Sequence, residues 1–96
     1  MDVLVTYDIE TTTKRGQRRL TRVAKICESY GTRVQDSVFE CRVSDTRHAR
    51  LLVELDEAID KSKDCVHLYR FDGDLAKART SIGKSPPRNP GQHWLI

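Results

Sequence analysis

Between Lys14 and Tyr30 two stripes of opposite character share one helical period. Leu20, Val23, Ala24, Cys27 and Tyr30 recur at spacings of three and four, and Arg15, Arg18, Arg22 and Lys25 recur in the same manner. At roughly 100° per residue the stripes point about 155° apart, so a helix here sends one side into a core and turns a basic ridge outward. Such a helix needs a sheet or another helix to cover its apolar side. A threonine of Glu10-Thr11-Thr12-Thr13 is its candidate cap, and Gly31 is placed to end it where helices commonly need positive φ.

The covering layer is legible on both sides of that helix. Residues 2 to 9 are rich in β-branched and aromatic types and form a strand buried on both faces. Alternation sets Val3, Val5, Tyr7 and Ile9 on one face and Leu4, Thr6 and Asp8 on the other. Residues 32 to 43 are extended, with Asp36-Ser37 marking a hairpin or bulge. A second helix runs from about Asp45 to Asp60 behind a Ser44 cap, with Leu51, Leu52, Leu55, Ala58 and Ile59 on its buried side. Residues 63 to 71 alternate Cys65, His67, Tyr69 and Phe71 against Val66, Leu68 and Arg70, as a strand does. Asp72-Gly73-Asp74 turns the chain, and Thr80 to Lys84 are expected to form a short further strand.

The order β, α, hairpin, α, β specifies an α+β protein, a ferredoxin-like βαββαβ plait with both helices on one face of an antiparallel sheet. With 96 residues there is room for a single domain: a core of residues 1–84 and a C-terminal strand or tail, residues 85–96, ending in Trp94-Leu95-Ile96. The other sheet face, bearing Leu4, needs cover, so a homodimer is expected. Residues 1–7 show no signal-peptide pattern and no apolar run reaches membrane length, so a cytoplasmic protein with no membrane partner is expected.

Several chemistries are disfavoured. The glycines are scattered, so no phosphate loop or dinucleotide fingerprint forms. Cys27, Cys41 and Cys65 are odd in number, contain no CxxC pair and are expected to be reduced core residues. His48, His67 and His93 share no ligand-like spacing with one another or with the cysteines. Phe39 and Tyr69 lack the signature of an RNA-recognition module on this plait.

Charge placement and one carboxylate carry more information. Lys14, Arg15, Arg18, Arg19, Arg22, Lys25 and Arg33 oppose only Glu28 in their stretch, although the whole chain is only +3. The ridge is either a solvated helix face or a track for a phosphate backbone, and the shortage of interspersed acids favours the second. Asp8 ends the first strand beside Glu10. On one chain it is a structural acid or a poor magnesium site, whereas a two-fold axis near the strand end would bring two copies together around a hard cation.

Tyr7-Asp8-Ile9, the arginine-rich helix closing on Tyr30-Gly31, and Arg33-Val34-Gln35-Asp36-Ser37-Val38-Phe39-Glu40-Cys41 together resemble the CRISPR-associated adaptation endonuclease family. The resemblance spans residues 1 to about 84. It implies a homodimer whose last strand crosses to the partner's sheet, and a Mg2+ or Mn2+ site built from Asp8 of each subunit. It also implies endonuclease activity on double-stranded DNA or single-stranded RNA in spacer acquisition and antiviral defence, with the integrase of the adaptation complex as partner. Tyr7, Arg15, Arg18, Arg19, Arg33 and Phe39 match positions or local types that handle nucleic acid in this family, and Arg22 extends the ridge. Two functions follow as expectations: a metal-dependent phosphodiesterase with Asp8 as metal ligand and catalytic residue, or a non-catalytic adaptor that binds duplex DNA and bridges integrase dimers.

Overall fold

A computed structural model describes residues 1–83. The elements are β1 (Asp2–Asp8), α1 (Lys14–Tyr30), β2 (Gly31–Gln35), β3 (Val38–Arg42), α2 (Asp45–Ala58), β4 (Cys65–Phe71) and α3 (Leu75–Ala78). The four strands lie in the order β2-β3-β1-β4, every neighbouring pair antiparallel. This is the expected βαββαβ plait.

The alternation of β1 divides the sheet's two faces. Val3, Val5, Tyr7 and Ile9 enter one core cluster with Phe39 and Cys41 of β3, Val23, Cys27 and Tyr30 of α1, and Leu51, Leu55 and Ala58 of α2. Phe39 and Leu51 are fully buried, and burying each such side chain is worth about 1.5–3 kcal/mol relative to exposure. On the opposite, open face Leu4 and Thr6 are half-buried and Asp8 is exposed, so β1 is covered on one side only within a single chain.

Local details depart from the sequence expectations at five places. Gly31 ends α1 at φ −163°, extended rather than left-handed, and is also the first residue of β2. A side chain there would run into the Glu40 carbonyl and lie 2.8 Å from the Cys41 Cα, so close backbone approach requires the glycine. Helix α2 stops at Ala58 because Ile59 is extended, and Leu52 is 42% exposed instead of buried. Cys65 is exposed, unlike the buried Cys27 and Cys41. The segment expected as a strand from Thr80 has no regular structure through Gly83, and the short helix α3, capped by Asp74, precedes it. The crossing strand and tail of residues 85–96 lie outside the described residues.

Helix α3 is fastened to the start of the sheet. The Leu75 amide donates to Asp2 Oδ2 at 2.8 Å, and Arg42 bridges Asp2 at 3.0 Å and Asp74 at 3.5 Å. This network covers the Asp2 end of the open face and leaves the Asp8 end exposed.

Candidate functional site

Asp8 is the last residue of β1, placed by the strand's even-numbered alternation on the open face. Strand pairing sets it opposite Cys65, with Thr6 opposite His67 and Leu4 opposite Tyr69. None of the described residues forms an ion pair with its carboxylate. Both oxygens are therefore available to an incoming hard cation. Mg2+ is characteristically held by one or two carboxylates, with waters and phosphate oxygens filling the remaining positions, and an exposed unpaired carboxylate suits that pattern. No group of three His, Cys, Asp or Glu side chains among the described residues is arranged to hold a metal, so one chain supplies a single hard ligand at this point.

The basic ridge lies on the outer side of α1. Thr13 caps the helix, accepting from the Gly16 amide at 3.1 Å, and Gly16 packs against the Glu10 carbonyl so closely that a Cβ would collide with it. Beyond this anchored turn Lys14, Arg15, Arg18, Arg22 and Lys25 are all exposed. Arg18, Arg22 and Lys25 line a shallow concavity together with Gln17, Thr21 and Ser29. Because the apolar side of α1 faces the sheet, the ridge faces away from it, whereas Asp8 projects from the sheet's other face. Within one chain the track for a phosphate backbone and the carboxylate look in opposite directions.

Four residues expected to handle nucleic acid are placed otherwise. Arg19 is turned inward: its Nε donates to Asp64 Oδ2 at 2.7 Å, and the Asp64 side chain is wholly buried. The Glu10 and Asp60 amides donate to the same carboxylate at 3.0 and 2.8 Å. Burial alone would raise the Asp64 carboxyl, but the Arg19 guanidinium and these two amides prevail and hold it below the usual carboxylate range. Phe39 is a core residue with no exposed ring, and Tyr7 is 6% exposed and stacked on it, with centroids 6.2 Å apart. The Tyr7 hydroxyl donates to the Asp36 carbonyl at 3.1 Å, and burial pushes its phenol up to about 12. Arg33 lies with its Cζ 5.1 Å from the Phe39 ring centroid and pairs loosely with Glu28 at 3.7 Å. Tyr7, Phe39 and Arg19 thus serve the fold, and Arg33 is held in a cation–π contact at its edge.

One pair of polar side chains was missed by sequence reasoning. Cys65 Sγ and His67 Nε2 stand 3.2 Å apart on the open face. Their spacing of two residues on a strand was the available signal, since i and i+2 share a face. Assigning the cysteines to the core concealed it.

The family model described as CRISPR associated protein Cas2 matches residues 1–78. The "CRISPR-associated endoribonuclease Cas2" of Chlorobaculum tepidum is 48% identical over 89 residues, 93% of each chain. The "CRISPR-associated endonuclease Cas2" of Halalkalibacterium halodurans is 44% identical over 86 residues, 90% of each. Among solved structures, Streptococcus pyogenes Cas2 at pH 6.5 superposes with a TM-score of 0.78 at 40% identity, covering 86% of this chain and 100% of that one. Family model, sequence relatives and βαββαβ topology agree: the chain belongs to the CRISPR-associated Cas2 family.

Proposed function

We propose that the protein is a metal-dependent endonuclease of CRISPR adaptation, hydrolysing phosphodiester bonds at a site built on Asp8. The observation that carries this reading is an exposed carboxylate at the end of β1 with no ion-pair partner among the described residues, in a chain whose relatives are named as endonucleases and endoribonucleases. Those two names divide between nucleic acid in general and RNA, so both double-stranded DNA and single-stranded RNA belong in the assay. One chain offers a single hard ligand, and a homodimer with Asp8 of each copy near its axis supplies the second. Bound Mg2+ or Mn2+ supplies Lewis-acid polarisation of a phosphoryl oxygen and a more acidic water. Asp8 would hold such a cation through a carboxylate oxygen. Arg15, Arg18 and Arg22 hold backbone on the outer side of α1.

The opposite orientation of ridge and carboxylate favours a second reading alongside the first. A duplex lying along α1 of one chain does not pass over that chain's Asp8, so the ridge also suits an adaptor that grips duplex DNA while integrase subunits of the adaptation complex do the chemistry. In this reading Asp8 has no catalytic duty.

Cleavage of labelled duplex DNA and single-stranded RNA, with Mg2+ or with chelator, separates the two when wild type is compared with Asp8→Asn. Cutting that needs both the metal and Asp8 supports the nuclease. Absence of cutting by either protein, with equal duplex binding by both, replaces it with the adaptor.

A further inference from the structure

The open face carries a second, chemically distinct donor set beside Asp8. Cys65 and His67 project from the same side of β4, both exposed, with Sγ and Nε2 3.2 Å apart. Zinc binds thiolate sulfur at about 2.3 Å and imidazole nitrogen at about 2.0–2.1 Å, and with those bond lengths this separation subtends about 95° at a shared ion. That angle lies between the octahedral and tetrahedral values, so small side-chain rotations bring both donors onto one cation.

The rest of the surroundings agree with such a site. Cys27 and Cys41 are buried, and desolvation pushes their thiols up to about 12 and about 11, which leaves Cys65 as the exposed thiol of a single chain, on the face a second copy would cover. The strand holds both donors in register without a loop to order. His67 faces Tyr69 across a ring-centroid distance of 6.1 Å, which restricts the imidazole from one side. No third donor is in place among the described residues, so the remaining positions of the ion fall to water or to a second copy.

We propose that Cys65 and His67 form a chelating pair for a thiophilic divalent cation of the zinc class, separate in ligand chemistry from the hard-cation site at Asp8. A thiolate and an imidazole select borderline-soft ions, whereas a carboxylate with waters selects magnesium or manganese. The pair sits opposite Thr6 and Asp8 in the strand pairing. Zinc-class ions therefore dock on the same face as the proposed nuclease centre and next to its carboxylate.

The test is a Co2+ titration of tag-free, reduced wild-type protein, followed by the sulfur-to-cobalt charge-transfer absorption and by competition with Zn2+. The expected result is a saturable band that Zn2+ abolishes and excess Mg2+ leaves in place. Cys65→Ser removes it, His67→Gln weakens Co2+ binding by ~10-fold or more, and His48→Gln leaves it unchanged. One ion per chain indicates completion by water, and one per two chains indicates completion by a second copy; both support the pair. A missing band, or a band that survives intact in either the Cys65 or the His67 variant, overturns it. Because the readout is absorption and not cleavage, failure here is distinct from failure of the nuclease reading.

Discussion

Arg19 and Asp64, 45 positions apart in sequence, meet through a 2.7 Å contact from Nε to Oδ2 that ties the first turns of α1 to the residue preceding β4. The Asp64 carboxylate also accepts from the amides of Glu10 and Asp60, so one buried acid fastens three connections at the same end of the sheet.

This arrangement sets an acid limit on stability. The Asp64 carboxyl is held below its ordinary value in the fold, so the unfolded chain takes up this proton first as pH falls. Its contribution is present above about pH 4 and is lost as pH drops through the lower folded value. Thermal unfolding followed between pH 6 and pH 2 should show a steeper acid loss for wild type than for Asp64→Asn. Arg19→Gln should lower Tm by roughly 10 °C at neutral pH, because it strands a buried carboxylate.

The exposed ridge should behave differently. Arg18→Ala or Arg22→Ala should leave Tm nearly unchanged while weakening duplex binding. Each should reduce the slope of log affinity against log salt by about one for every phosphate that the missing side chain would neutralise. Arg19→Gln, measured at a temperature where it is folded, should leave that slope unchanged. A salt titration of the three variants checks both statements.

Alanine at Gly16 should reverse its usual sign. In an open helix interior, Gly→Ala stabilises by about 1 kcal/mol. Here the new Cβ meets the Glu10 carbonyl, and neither the capped first turn nor the Glu10 backbone, whose amide is bonded to Asp64, can give way cheaply. Urea unfolding of Gly16→Ala should show a loss of stability in place of the gain.

Phe39 and Tyr7 offer a test of core against surface. Phe39→Leu should cost on the order of 1 kcal/mol of stability and leave the salt slope of nucleic-acid binding intact. Tyr7 should ionise in an alkaline titration at about pH 12. An unfolded tyrosine loses its proton near pH 10 while Tyr7 keeps its own, so this group withdraws stability between those values.

Regular, periodic features of the chain were legible in the sequence. The two stripes of α1, the alternation of β1 and the Asp36-Ser37 turn specify the plait, since each is a local pattern repeated over a whole element. Features that depend on a distant partner were not legible. Arg19 stands outside the Arg15-Arg18-Arg22-Lys25 stripe and precedes the buried Val23 and Cys27 by four and eight residues, which turns it inward, but its partner Asp64 lies 45 residues away and no local pattern names it. Phe39 took its nucleic-acid role from the family resemblance and Cys65 its core role from cysteine count, and neither argument says which face of its strand the helices cover. Gly31 stands at the expected helix end in an unexpected conformation, because its requirement comes from Glu40 and Cys41 on the neighbouring strand.

Helix α1 passes into β2 with no residue between Tyr30 and Gly31. The joint has no slack, so helix and hairpin act as a single lever, and any pull exerted along the arginine side of the helix is delivered to the strand edge. A bulkier residue at Gly31 would meet the Glu40 carbonyl and Cys41, so either the end of the helix or the start of β2 would have to give up its place on β3. The seat of the arginine-bearing helix thus depends in part on a residue that carries no charge and no side chain.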